Sequence, residues 1–99
     1  MVAWQNNWKA FDAPEGEEYF LSELAWEIET NKGHPLYGKE FRIVGWIPYF
    51  DDFLLLLPKQ REYVYVHFTW RQEDTPTFPY CKVLGCVDEA NAFIAQWEA

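Results

Sequence analysis

The chain has 99 residues, of which 49% are hydrophobic and 20% aromatic, and its formal net charge is −8 at pH 7. The hydrophobic fraction excludes a disordered chain, and the length suits one domain, so we expect a single domain over residues 1–99. The acidic balance argues against nucleic acid and anionic membranes as partners, because both require clusters of Lys and Arg.

The first thirty residues predict an aromatic segment followed by a helix. Trp4, Trp8 and Phe11 have helical spacing but no clear cap. Residues 1–12 could therefore be a short helix or a separate aromatic arm that packs its rings on the domain. A helix is predicted from about Glu17 to Thr30, where the apolar residues form one stripe and glutamates crowd the first turn.

Three antiparallel strands are predicted between residues 40 and 70. They cover about Glu40 to Ile47, Phe53 to Leu57 and Tyr63 to Trp70. The third alternates apolar residues with tyrosine, histidine and threonine, and this period of two is typical of a half-buried strand. Only five residues separate the second strand from the third, which favours an antiparallel hairpin. Residues 80–84 are a candidate fourth strand.

The last helix is predicted to start with Asp88 as its N-cap, and its apolar residues then fall on one face. The predicted order of elements is therefore α-β-β-β-(β)-α. We expect an α+β fold with a three- to four-stranded antiparallel sheet and two helices packed on one face of it.

The two cysteines do not form a known motif. Cys81 and Cys86 lack the C-x-x-C spacing of redox and zinc sites, so we expect buried free thiols in a reducing cytoplasm. The N-terminus has no charged leader with an apolar run, and the longest uninterrupted apolar run is too short to span a bilayer. We therefore expect a cytoplasmic protein without a membrane partner.

The polar-aromatic side of the third strand is one candidate binding surface. If the helices cover the apolar side of this strand, the opposite side stays open and carries Tyr63, Tyr65, His67 and Thr69. This row could bind a ligand beside a titratable group. It could also be a partly exposed ladder of cross-strand pairs, which we favour.

Charged residues supply the other candidates. Asp51 and Asp52 could share a proton or hold a hard cation, but adjacent turn residues usually point apart, and turn chemistry is the favoured interpretation. His34 could orient a ligand, although hydrogen bonds to local backbone are preferred. Glu23 and Glu27 lie one helical turn apart. They could present a negative stripe to a basic partner or merely solvate the exposed side of the helix.

Three segments, GHPLYG, DDFLLLL and VYVHFTW, together resemble a group of small uncharacterised bacterial proteins. That group pairs a Gly-His-Pro-Leu turn with an Asp-Asp hairpin and a strand ending in Val-His-x-Thr-Trp. The resemblance covers roughly residues 23–70, about half of the chain, and implies no activity. It marks six positions of interest: His34, Asp51, Asp52, His67, Thr69 and Trp70.

No catalytic or cofactor motif is present in the sequence, so we expect no cofactor, no metal site and no catalytic residue. The leading prediction is a non-enzymatic protein-binding module, for example an immunity-type inhibitor of a basic toxin. It rests on the aromatic content and on residues 1–31, which hold seven acidic residues against one lysine. The alternatives are a small-ligand or catalytic site centred on His67, Tyr65 and Asp52, and a homo-oligomer that buries its extra rings.

Overall fold

The structure is a computed structural model, and it describes residues 1–98. Within these residues the elements are β1 (Lys9–Ala10), α1 (Pro14–Glu27), β2 (Arg42–Trp46), β3 (Asp52–Leu57), β4 (Glu62–His67), β5 (Tyr80–Gly85) and α2 (Val87–Ala95). The strands follow one another in the sheet in chain order, and each pairs antiparallel with the next. The predicted α+β class is confirmed, but the sheet has five strands rather than three to four.

The helices lie on opposite faces of this sheet, so the prediction that both pack on one face is wrong. On one face, Leu24 of α1 packs in a core cluster with Leu55. On the other face, Ile94 of α2 packs in a second cluster with Leu54. The reason is the run Phe53–Leu57, whose consecutive apolar side chains point alternately to both faces of the sheet. Both faces must therefore be covered.

Residues 1–12 form an arm that lies along the sheet and not a helix. The arm contributes β1, which pairs with β2, and it buries Trp8 to 2% exposure in the cluster on the α2 face. Gly45 of β2 leaves room for the Trp4 ring, since a Cβ at this position would collide with it. Asn6 donates from Nδ2 to the carbonyl groups of Ile94 and Ala95 and so ties the arm to the C-terminal end of α2.

The start of α2 differs from the prediction. The N-cap is Cys86 rather than Asp88, and Cys86 donates its backbone N–H and its thiol to Glu89 Oε1. Both cysteines are free thiols, but only Cys81 is partly buried, because the capping position leaves Cys86 exposed. Burial raises the pKa of the Cys81 thiol. Neither helix in residues 1–98 has the length and apolar character needed to cross a membrane.

An ion pair fixes α1 against the sheet. Glu17 accepts hydrogen bonds from Nε and Nη2 of Arg42 at 2.9 and 3.0 Å and from the backbone N–H of Ile43 at 3.1 Å. The hydrogen bond from the Arg42 guanidinium holds the pKa of Glu17 below its usual value. Glu17, one of the seven acidic residues in residues 1–31, is thus already paired within the fold.

Candidate functional site

The turn between β2 and β3 places two neighbouring carboxylates on opposite sides of the sheet. Asp51 Oδ1 accepts a hydrogen bond from Nε1 of Trp70 at 2.6 Å. Asp52 Oδ1 accepts one from the Tyr65 hydroxyl at 2.5 Å and one from Nδ1 of His67 at 3.0 Å. The two acids therefore do not act as a carboxylate pair, and each belongs to a different site.

On the α1 side, the turn forms one wall of a surface depression of about 460 Å³, which we call the aromatic groove. Its lining residues are Phe20, Trp46, Pro48, Tyr49, Phe50, Asp51, Phe53 and Trp70. Tyr49 is 102% exposed, Phe50 64% and Trp70 40%. Tyr19 of α1 extends this aromatic surface, since its ring centroid lies 6.3 Å from that of Trp70. Several exposed rings therefore lie on this side of the protein, and those of Tyr19 and Trp70 are in contact.

The backbone is strained at two residues of the aromatic groove. Tyr49 has φ 71° and Trp70 has φ 60°, both in the left-handed region that bulky residues rarely adopt. Trp70 is held in this conformation at both ends, because its backbone N–H binds Glu27 Oε2 at 3.1 Å and its indole binds Asp51. The groove wall is thus held in place by contacts within the fold.

Glu27 is fully buried and anchors this wall, so the interpretation of Glu23 and Glu27 as an exposed stripe is wrong. Glu27 Oε1 accepts hydrogen bonds from the backbone N–H and the hydroxyl of Thr69 at 3.0 and 3.1 Å. Burial, together with the neighbouring Glu23, raises the pKa of Glu27 to about 7. Oε2 of Glu23 is itself buried and has no hydrogen-bond partner within residues 1–98. Such an arrangement favours a proton held between the two carboxyl groups.

The row of residues predicted along the third strand does not form one open surface. Tyr65 is only 7% exposed and Tyr63 packs against the cluster on the α2 face, because α2 covers this side of the sheet. His67 remains exposed at the end of β4. The alternation stops after Phe68, where the chain leaves the sheet and Thr69 turns towards Glu27 of α1.

On the α2 side, the same turn closes a cavity of about 310 Å³, which we call the Asp52 cavity. Its lining residues are Asn7, Ile47, Phe50, Asp52, Trp97 and Glu98. Asp52 is 8% exposed. Burial, with the neighbouring Asp52 carboxylate, raises the pKa of Tyr65 above its ordinary value, so its hydroxyl stays a hydrogen-bond donor. The residues Asp52, Tyr65 and His67 do meet, and of the three Asp52 lines the cavity.

His34 lies away from both of these sites. It is 3% exposed, its Nδ1 accepts from the backbone N–H of Leu36 at 3.0 Å, and its Nε2 donates to the Pro79 carbonyl at 2.7 Å. Burial lowers the pKa of His34, which keeps the ring neutral. Both ring nitrogens are therefore occupied by backbone groups and join the loop after α1 to the start of β5.

Comparison of the chain with protein-family models, with curated proteins and with solved structures gives no match. The chemistry of the two sites must therefore be judged from their own residues. Among residues 1–98, no three His, Cys, Asp or Glu side chains are grouped as metal ligands. Sequence reasoning missed Tyr49 and Phe50, although two aromatic residues directly after Pro48 in a turn are a usable signal, since turns favour small polar residues.

Proposed function

We propose that the protein is a non-enzymatic binding module that holds a basic segment of a partner protein in the aromatic groove. The observation that carries this proposal is the exposure of Tyr49 and Phe50 beside Trp70. Aromatic side chains are enriched at protein interfaces, where a few of them contribute most of the binding energy. Exposed rings grouped around a depression are therefore better explained by a partner than by folding.

The strained backbone of the aromatic groove supports the same proposal. A left-handed conformation costs a residue with a side chain about 1–2 kcal/mol, and Tyr49 and Trp70 both adopt it. Strain of this kind is concentrated at functional sites, where the surrounding structure maintains it. Because Glu27 and Asp51 already hold Trp70, a partner would not have to order this wall, and binding would cost less conformational entropy.

The charge of the protein supports a basic partner. A net charge of −8 attracts cationic proteins and speeds their encounter. Glu15 and Glu18, which lie near Tyr19 on α1, are exposed, and Asp51 lies in the groove wall. An Arg or Lys side chain over an aromatic ring gains about 0.5–2 kcal/mol from the cation–π interaction. An immunity-type inhibitor of a basic toxin, acting in the cytoplasm, is the concrete form that we propose.

The test is a pull-down from the native lysate with the immobilised full-length chain, washed first in low and then in high salt. Three baits are compared: the wild type, the double variant Tyr49→Gly/Phe50→Ala, and Tyr37→Ala, which removes an exposed ring outside the groove. We expect the wild type and Tyr37→Ala to retain the same basic protein and to release it in high salt. The double variant should retain at least about tenfold less of it, as expected when interface anchors are removed.

Equal retention by all three baits would contradict the proposal. Sedimentation of the bait alone tests the alternative that the protein is a homo-oligomer. If the wild type self-associates and the double variant remains a monomer, the exposed rings serve a contact between copies of this chain instead.

A further inference from the structure

The Asp52 cavity lies on the opposite side of the sheet from the aromatic groove, and the proposed partner does not account for it. We propose that this cavity is a second binding site, for a small organic cation that carries N–H donors, such as a guanidinium or a primary ammonium group. The inference does not depend on the proposed partner of the groove, although Phe50 lines both depressions. It rests on a buried carboxylate, on the rings around it and on the size of the space.

The carboxylate of Asp52 is fixed in place but not saturated. Tyr65 and His67 both donate to Oδ1, and no donor within residues 1–98 reaches Oδ2. A carboxylate offers about four lone-pair sites, so acceptor capacity remains for a guest. Two donors on one oxygen also prevent the side chain from rotating away, which is the usual role of residues behind a binding group.

The walls of the Asp52 cavity suit a cation. Phe50 and Trp97 supply aromatic rings, whose faces attract positive charge, and Glu98 adds a second carboxylate. An anion would be repelled by both acids. A purely apolar guest would remove water from Asp52 without replacing its hydrogen bonds, which is unfavourable.

The size of the cavity narrows the class of ligand further. A volume of about 310 Å³ is at the lower end of the range for ligand pockets, which suits a group the size of an arginine side chain. A hard metal ion is a poorer fit, because Ca²⁺ takes six to eight oxygen ligands, and the described residues hold no group of three ligands. The lining instead offers a guanidinium or ammonium group oxygen acceptors on three residues, Asp52, Glu98 and Asn7.

The test is an NMR titration of the ¹⁵N-labelled full-length protein with N-propylguanidinium at constant ionic strength, followed at the Trp97 and Trp70 indole N–H signals. N-propylurea, which has nearly the same shape and no charge, is the matched ligand control. We expect a saturable shift at Trp97 with the guanidinium compound and none with the urea. Asp52→Asn should raise the Kd for N-propylguanidinium at least about tenfold, because a charge-assisted hydrogen bond is lost.

Further variants keep the result interpretable if Asp52→Asn does not fold. Glu98→Gln, at the exposed rim, should raise the Kd about two- to threefold, whereas Asp88→Asn, an equal charge change at the far end of α2, should leave it unchanged. Equal shifts with N-propylurea, or a Kd equally insensitive to Glu98→Gln and Asp88→Asn, would overturn the proposal. So would a shift confined to Trp70, which would place the cation in the aromatic groove.

Discussion

Asp51 and Asp52 are consecutive in the chain, yet each binds an aromatic donor on a different side of the sheet, Trp70 for Asp51 and Tyr65 for Asp52. One turn therefore contributes to two sites, and the ring of Phe50 between the two depressions lines both of them. Because the turn is shared, variants in it can be chosen to perturb one side and leave the other as a control.

The first prediction concerns the coupling between Tyr65 and Asp52. Tyr65→Phe and Asp52→Asn should each lower the free energy of unfolding, and a double-mutant cycle should give a coupling of about 1–2 kcal/mol, because the bond is buried and charge-assisted. Urea unfolding of the four proteins measures it. Tyr80→Phe is the matched control, since Tyr80 is 47% exposed, and it should change the stability by less than about 0.5 kcal/mol. A coupling near zero would contradict the assigned hydrogen bond.

The second prediction separates stability from binding at Tyr49. Its side chain is fully exposed and its φ is 71°, so Tyr49→Gly removes strain and loses few contacts. We expect the free energy of unfolding to stay unchanged or rise by up to about 1 kcal/mol, as glycine's greater freedom in the unfolded chain offsets part of the gain. Retention of the partner should fall in the same variant. A clear loss of stability would mean that the ring packs on the fold and is not displayed for a partner.

The strands between residues 40 and 70 could be predicted because their signals are local, namely the period of two in β4 and the short turns on either side. The prediction that both helices pack on one face of the sheet was wrong, although the sequence contains a pattern that indicates the opposite. Five consecutive apolar residues, Phe53–Leu57, indicate a strand buried on both faces, and this requires a cover on each. Strand β1 has two residues, which is too short for any periodicity to be visible.

The candidate site residues also divide into those that the local sequence could predict and those that it could not. Asp52 and His67 meet because they are direct partners in the β3–β4 hairpin, and hairpin pairing is local information. Asn7 and Trp97 join them only because the two ends of the chain pack on the same face of the sheet. The burial of Glu27 could not be predicted from the sequence either, since its partners on the loop after β4 are more than forty residues away in the chain. Long-range contacts of this kind leave no periodic pattern.

The third prediction tests how the N-terminal arm is attached. Gly45→Ala places a methyl group where the Trp4 ring lies, so the ring must leave the sheet, at a cost of about 1–3 kcal/mol in the free energy of unfolding. Limited proteolysis of the arm should become faster. In a Trp4→Ala background, Gly45→Ala should lower the free energy of unfolding much less, because the colliding ring is absent. Equal costs in the two backgrounds would show that Trp4 does not occupy this position.

The fourth prediction concerns pH and follows from Glu27. Its pKa is about 7 in the folded protein, against a value near 4.5 in an unfolded chain, so the folded state holds a proton that the unfolded state has lost. Stability should therefore increase as the pH falls. Between pH 8 and pH 6.5 the free energy of unfolding should rise by about 1 kcal/mol. Below about pH 6.5 the lowered pKa of His34 acts in the opposite direction, because the unfolded histidine takes up a proton first.

Glu23→Gln isolates the contribution of the carboxyl pair. The amide can donate a hydrogen bond to Glu27 at every pH and so replaces the proton held between the two acids, whereas Glu18→Gln removes an exposed charge from the same helix. We expect Glu23→Gln to raise stability at pH 8 by about 1 kcal/mol and to flatten the rise between pH 8 and pH 6.5. Glu18→Gln should preserve that rise. If thermal unfolding showed the same pH dependence in both variants, burial alone, and not the neighbouring Glu23, would raise the pKa of Glu27.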